Sequence, residues 1–356
     1  VKELARSIRE LDPGGPVRLM HVCGTHENAL CQFGLRDLFP PWLTLIAGPG
    51  CPVCVCPAGE IDMAVRAATE KGALVASFGD VMRVPARVSL ADAQAAGADC
   101  RVVYSIDDAV DLARSGPKRT VVFFAVGFET TACTTAAALK RGVPENFLVL
   151  SSHRVVPPAL EALLSLGRSR VDGFLLPGHV TTVAGLGDYE ALGQRCRVPM
   201  AVAGFEPVDI LLAVKDMVAR QGSRGERFEG VTNAYRRSVR AAGNPTAVAV
   251  TREVFTPSDA AWRGLGVIPR SGLALRPAYA AHDARVVLGL APDPEVRDLH
   301  PGCRCGEVLL GDVEPEDCPL FGARCTPDDP LGACMVAFEG TCHARHRAGH
   351  RRKVGA

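Results

Sequence analysis

The stretch "LTLIAGPGCPVCVCPAGEIDMAVRAATEKG", residues 43–72, sets the reading of the fold. It opens on a short apolar run of strand character. It breaks at Gly48-Pro49-Gly50 and continues as an amphipathic helical segment. This strand–loop–helix unit is the building block of a parallel sheet covered by helices. The loop also carries Cys51, Cys54 and Cys56. Cys51 and Cys54, in C-x-x-C spacing at a helix start, sit where the helix field favours thiolate. A redox dithiol is the sharp reading; a stiff loop with two small buried thiols is the plain one.

The same unit recurs on both sides. "VRLMHV" runs into "CGTHENALCQFGLRDL", and "ALVASFGD" and "RVVYS" add two strands. After "SGPKR" (115–119), read as a linker, "TVVFFAV", "FLVLSS", "GFLLPGHV" and "MAVAG" each precede a helical segment. A strand followed by "GFE" occurs at 127–129 and again at 204–206. The expected fold is therefore α/β, with two doubly wound parallel-sheet domains over 1–116 and 117–219. Residues 220–356 form a mixed third region. Its part beyond 291 is rich in Pro, Gly and Cys and poor in periodic apolar surface, so a metal centre is expected to hold it.

Composition narrows the function. A chain of 356 residues exceeds one ordinary core, and at 47% hydrophobic it can build more than one. A net charge of +1, with no basic stripe in the body, gives no reason to invoke nucleic acid or an anionic membrane. The basic end "HARHRAGHRRKVGA" reads as a solvated terminus. "VKELARSIREL" is amphipathic rather than a signal h-region, and "VVFFAV" is too short to span a bilayer. A cytoplasmic location is expected. There, fourteen cysteines point to metal or redox chemistry rather than to structural disulfides.

Six of the cysteines, Cys303, Cys305, Cys318, Cys325, Cys334 and Cys342, fall in the C-terminal segment. Soft thiolates select zinc or an iron–sulfur cluster. The wide spacing lacks paired C-x-x-C knuckles, which favours the cluster over a zinc ribbon. Cys23, just after a strand, belongs at the carboxyl edge of a parallel sheet, where open α/β sheets place their ligands. His26 either joins it in binding metal or lowers its pKa. Glu129 in "GFETT", His179 in "PGHV" and Glu206 in "GFEP" mark further strand-end loops; capping is the plain reading of the glutamates. Cys31, Cys56, Cys100, Cys133 and Cys196 read as core or incidental. No P-loop, dinucleotide fingerprint or Ser–His–Asp order is present.

The succession "CGTHE", "GPGCPVC", "FGDVMRVP", "GFETT", "PGHV", "AGFEP", "WRGLG", "RCGEVL" and "CPLFG" resembles the HypD family of nickel–iron hydrogenase maturation factors, from about residue 15 to 343. The resemblance implies a scaffold for an iron carrying two cyanides and one carbon monoxide. It implies work with a HypC-type chaperone and a HypE-type cyanide donor, and delivery to the hydrogenase large subunit. It implies a 4Fe-4S cluster on Cys305, Cys318, Cys325 and Cys342. Cys23, with His26 beside it, would hold the assembling iron, and Cys51 and Cys54 would be the redox dithiol. Cys56, Cys303 and Cys334 are additional to the family pattern. Cys133 stands where relatives commonly have proline, and Cys303 and Cys334 compete as candidate ligands. The competing functions are an iron–sulfur-linked thiol–disulfide oxidoreductase and a zinc-stabilised binding module.

Overall fold

The computed structural model describes residues 1–167, 170–221 and 230–354. Eleven strands form three sheets. They are β1 (Val17–His21), β2 (Leu43–Ala47), β3 (Leu74–Ser77), β4 (Cys100–Val102), β5 (Val121–Gly127) and β6 (Phe147–His153), then β7 (Gly173–Pro177), β8 (Met200–Ala203), β9 (Val231–Asn233), β10 (Phe255–Trp262) and β11 (Gly266–Leu275). The first sheet has the order β2-β1-β7-β8-β9 and the second β4-β3-β5-β6. Every pairing in both is parallel. β10 and β11 make an antiparallel hairpin. The α/β class with two helix-flanked parallel sheets is what the sequence led one to expect.

The sheets do not follow the chain in two halves. β1 pairs with β2 on one side and, on the other, with β7 more than a hundred residues later, and the segment from β3 to β6 builds the second sheet in between. The boundary expected at 116/117 falls between β4 and β5, which both border β3. "SGPKR" is the ordinary connection from the helix Ile106–Ser115 into β5. The cause is physical. Strands buried on both faces, such as β5 with all seven residues buried, carry no mark of which neighbour they pair with.

Two features of the third region depart from expectation. β9 and the hairpin bring strands into it, joined by the helix Pro245–Val254, which Asn244 caps. The tip of the hairpin clamps the Cys51 loop. Arg263 donates its amide to Val55 O (2.8 Å) and its buried guanidinium to the carbonyls of Cys56 (2.7 Å), Pro85 (2.9 Å) and Asp298 (2.6 Å). Beside it, Trp262 donates Nε1–H to Ser271 Oγ at 2.8 Å and stacks on Phe128.

The Cys-rich segment is less poor in core than its sequence suggested. Leu309, Leu310, Ala333, Val336 and Ala337 are buried and continue the main apolar core. The basic end is also docked rather than loose. Up to residue 354 it lies in the helix Thr341–Val354, where Arg345 reaches Glu27 Oε1 (2.9 Å) and Arg347 reaches Asn28 Oδ1 (2.8 Å); residues 355–356 lie outside the described residues.

Candidate functional site

Strand order builds the site. β2, β1, β7 and β8 are neighbours, so the loops leaving their carboxyl ends gather at one edge. These loops carry Gly48 to Cys51, Cys23, His179 and Gly204 to Glu206. Residues far apart in sequence are thereby placed together.

Cys23 is extended and caps the helix Gly24–Gln32. Its Sγ lies 3.9 Å from Nδ1 of His179, the first full turn after β7. The thiol is buried, and burial pushes it up to about 12; the charge of Glu339 pushes the same way, while the amides of His26 and Thr25 oppose. Burial lowers His179 below the usual imidazole value. His179 also packs on Phe205, with ring centroids 5.4 Å apart. Two glycines make the site close. A Cβ on Gly50 would fall 2.1 Å from the Cys23 nitrogen, and Gly24 N donates to Gly50 O at 3.2 Å. A Cβ on Gly24 would meet the Glu339 backbone. The glycine after Cys23 thus admits the C-terminal segment.

That segment supplies a residue sequence reasoning missed. Glu339 Oε1 accepts a hydrogen bond from Thr25 Oγ1 at 2.7 Å. Its charge also bears on Cys23, His179 and Asp80. No local pattern separates Glu339 from the other acidic residues around it; only the tertiary path shows it.

His26 is fully buried, with Nε2 2.9 Å from Gly204 O and the ring 5.1 Å from Phe205. Burial lowers it to about 3. The ring is neutral, with Nε2–H as donor, and Nδ1 is buried without a partner. Behind it Glu27 is a buried hub. It accepts from Arg36 (3.1 and 2.6 Å) and Arg345 (2.9 Å), and lies 2.6 Å from His21 Nε2. Burial alone would raise its carboxyl, but Arg36, His21 and Arg345 together hold it well below the usual range.

Cys51 and Cys54 are joined by a disulfide. Cys51 caps the short helix Pro52–Val55, its Sγ accepting from Cys54 N at 3.1 Å. Cys54 Sγ lies 4.0 Å from Ala333 O. All six C-terminal cysteines line one small cavity: Cys303, Cys305, Cys318, Cys325, Cys334 and Cys342. The four implied by resemblance and the two competitors are therefore all brought together. Among the described residues no three donors converge as they would around a single ion. Six soft thiols spread around a cavity suit an iron–sulfur cluster, which takes four of them. The stretch from 333 to 342 thus touches the disulfide at Ala333, the cavity at Cys334 and Cys342, and the Cys23 loop at Glu339.

Glu129 follows β5 of the second sheet. Its Oε1 accepts from Val156 N at 2.9 Å, while Oε2 is buried without a partner. Burial raises this carboxyl to about 7. It lines a cavity of about 460 Å³ together with Arg195, Arg252 and Arg270. Glu206 caps the helix Pro207–Ala219 with Asp209. Of the remaining cysteines, Cys31 donates to Glu27 Oε1 (3.3 Å), Cys133 to Thr130 O (3.1 Å), and Cys56 lies 3.4 Å from Ser152 Oγ. No helix among the described residues is long and apolar enough to cross a membrane.

Comparison with known proteins places this architecture. The HypD family model, described as "Hydrogenase formation hypA family", matches residues 1–349. The hydrogenase maturation factor HypD of Rhizobium leguminosarum bv. viciae is 44% identical over 365 residues, covering 99% of this chain and 94% of its own. HypD of Escherichia coli is 44% identical over 334 residues, covering 92% and 88%. A putative hydrogenase expression/formation protein of Methanocaldococcus jannaschii is 43% identical over 347 residues, covering 96% and 93%.

Proposed function

The chain belongs to the HypD family of hydrogenase maturation proteins, and from that premise we propose that it is a scaffold on which the Fe(CN)2CO group of nickel–iron hydrogenase is assembled, with Cys23 holding the cargo iron. The observation that carries this reading is the path of residues 333–342, which ties a six-thiol cavity, a disulfide and the buried Cys23 into one site.

Cys23 is protonated at rest, its thiol disfavoured as thiolate by burial and by Glu339. An arriving iron ion reverses that balance, because a bound cation makes the coordinating thiol give up its proton. His179 Nδ1, 3.9 Å away, is the base placed to take it. The resulting histidinium is stabilised by the Glu339 charge. His26 holds the loops: its hydrogen bond to Gly204 O ties the Cys23 helix to the end of β8. Its bare Nδ1 keeps a free lone pair, buried without a hydrogen-bond partner.

Breaking the Cys51–Cys54 bond takes up two electrons and two protons, and re-forming it returns them. Cys305, Cys318, Cys325 and Cys342 would hold a 4Fe-4S cluster, which would supply one-electron chemistry there. Ala333 O against Cys54 Sγ places the thiol cavity's own backbone beside the disulfide. Arg263, bound to Val55 O and Cys56 O, keeps the loop in register while its sulfurs change state.

The partners on this reading are a HypC-type chaperone, a HypE-type cyanide donor and, indirectly, the hydrogenase large subunit, in the cytoplasm. The protein, co-produced with the two partner types and fed 13C-labelled cyanide precursor, should show cyanide and carbon monoxide infrared bands, the cyanide bands shifting with the label. Absence of both bands refutes the scaffold role. The Cys54–Ala333 contact also favours a second reading, an iron–sulfur-linked thiol–disulfide oxidoreductase. That reading predicts rapid reduction of Cys51–Cys54 by a cluster donor with no diatomic bands.

A further inference from the structure

The cavity beside Glu129 takes no part in the scaffold reading. Its volume is about 460 Å³, and its walls come from helices that follow strands of both parallel sheets and from the β10–β11 hairpin. Val155, Pro157, Val183, Phe255 and Leu273 line it with apolar surface, broken by a few polar side chains. That is the composition of a small-molecule site. The polar side chains are not all paired off. Glu129 Oε1 accepts from Val156 N at 2.9 Å, but Oε2 is buried without a partner. Arg195 is held by Glu161 at 3.2 Å, whereas Arg252 and Arg270 make no ion pair among the described residues. Arg270 is also strained: its φ is 56°, and Asp259 Oδ1 accepts from its amide at 2.9 Å and holds the turn. Non-glycine residues kept in that region cluster at ligand clamps.

We propose that this cavity binds a small organic carboxylate, with the carboxylate on the guanidiniums of Arg252 and Arg270 and a second polar group on the free Glu129 oxygen. Guanidinium forks match a carboxylate bidentately. Phosphate finds no helix-terminus cradle in the helix Val156–Leu166, whose first turn faces the cavity, because that turn has no amide left to offer. Val155 N donates to Ser271 O at 2.9 Å and Val156 N to Glu129, while Pro157 and Pro158 carry no N–H. Burial raises the Glu129 carboxyl to about 7, with the Asp188 charge pushing the same way. Near neutral pH it is thus present in both protonation states and can donate to the ligand or accept from it. One element ties the cavity to the Cys23 site. The helix Gly178–Ala184 carries His179 beside Cys23 and ends at Val183 and Ala184 in the cavity wall.

The test is isothermal titration calorimetry of the full-length chain with acetate, succinate and glutamate at millimolar concentration and constant ionic strength, beside inorganic phosphate. Succinate or glutamate should bind saturably, and more tightly than acetate, which lacks the second polar group. Arg252→Ala and Arg270→Ala should each weaken that binding about tenfold, as the loss of a charge-assisted contact does. Arg6→Ala, on the first helix, should leave it unchanged. Both cavity arginines are exposed, so the variants should fold, which circular dichroism checks. If one does not, Arg252→Lys or Arg270→Lys takes its place: the charge stays, the fork is lost, and binding should still weaken. Saturable binding of none of the carboxylates overturns the proposal, and so does an affinity unchanged in the arginine variants. Phosphate binding as tightly as succinate or glutamate overturns the carboxylate assignment and reduces the site to a general anion patch.

Discussion

Thr25 Oγ1 donates to Glu339 Oε1 at 2.7 Å, joining the first turn after Cys23 to a residue three positions before Cys342. This places the carboxylate of the C-terminal segment where its charge adds to the effect of burial on a thiol at the edge of the first sheet. The Cys23 thiol, raised to about 12 by burial and then by Glu339, is protonated at neutral pH. Its alkylation by iodoacetamide should be slow at pH 7 and climb about tenfold per pH unit toward alkaline pH, since the thiolate is the nucleophile. Glu339→Gln removes one of the two raising influences, so labelling at pH 8 should quicken several-fold. Peptide mass spectrometry reads both. A Glu339→Gln rate equal to wild type would show that the carboxylate does not act on Cys23.

Glu27 should be among the costliest single positions in the protein. Replacing it by Ala strands Arg36 and Arg345 against a buried void, a change worth about 3–5 kcal/mol. Its carboxyl is lower folded than unfolded, because Arg36, His21 and Arg345 outweigh burial. The stabilisation is thus fully present above the ordinary carboxylate range and is lost as pH falls through the depressed folded value. Denaturant melts of wild type and Glu27→Gln should converge at strongly acid pH and diverge at pH 7. A constant gap would contradict the hub.

Glu129 should behave in the opposite sense. Its carboxyl is raised to about 7, so the unfolded chain gives up this proton at lower pH than the folded one. Stability contributed by the protonated form is present below the unfolded value and falls as pH rises toward 7. Glu129→Gln keeps an acceptor for Val156 N and should be more stable than wild type at pH 8, by on the order of 1–3 kcal/mol. Equal stability across pH 4–8 would mean that the buried, unpartnered oxygen is solvated.

Cys318→Ala should remove iron and sulfide and loosen the C-terminal lobe, because binding a structural metal is coupled to ordering its ligands. The loosening should be local. Leu309, Leu310 and Val336 remain anchored in the main core, so hydrogen exchange should rise in residues around 318–325 and not in β5. A variant retaining the full complement of iron would remove Cys318 from the ligand set.

Several strands of the parallel sheets were legible because they are short, nearly continuous apolar runs ending in Gly or Pro, as in Val121–Gly127 and Gly173–Pro177. Their pairing was not. Nothing in Val17–His21 announces Gly173–Pro177 as its neighbour, since parallel partners are joined by distant chain rather than by a turn. The hairpin was hidden for another reason. "FTPSDAAW" places small and polar residues around a proline, and only its two ends, Phe255 and Trp262, are buried. Cys23, Cys51 and Cys54 were readable as strand-end residues, and His179 as another, because the carboxyl edge of a parallel sheet collects them whichever strands pair. Glu339 and the Arg263 clamp come from segments that reach the site by tertiary routing alone.

The most direct test of the scaffold account is the infrared spectrum of Cys23→Ala, purified with its chaperone partner beside wild type and Cys31→Ala. The fold, the Cys51–Cys54 pair and the brown cluster should persist in Cys23→Ala, since the Cys23 sulfur supports none of them. The cyanide and carbon monoxide bands should vanish and hydrogenase maturation should stop. Cys31, whose thiol only donates to Glu27, should be nearly silent. Bands of normal intensity in Cys23→Ala would contradict the account and move the iron to another ligand, with the Cys51 loop next in line.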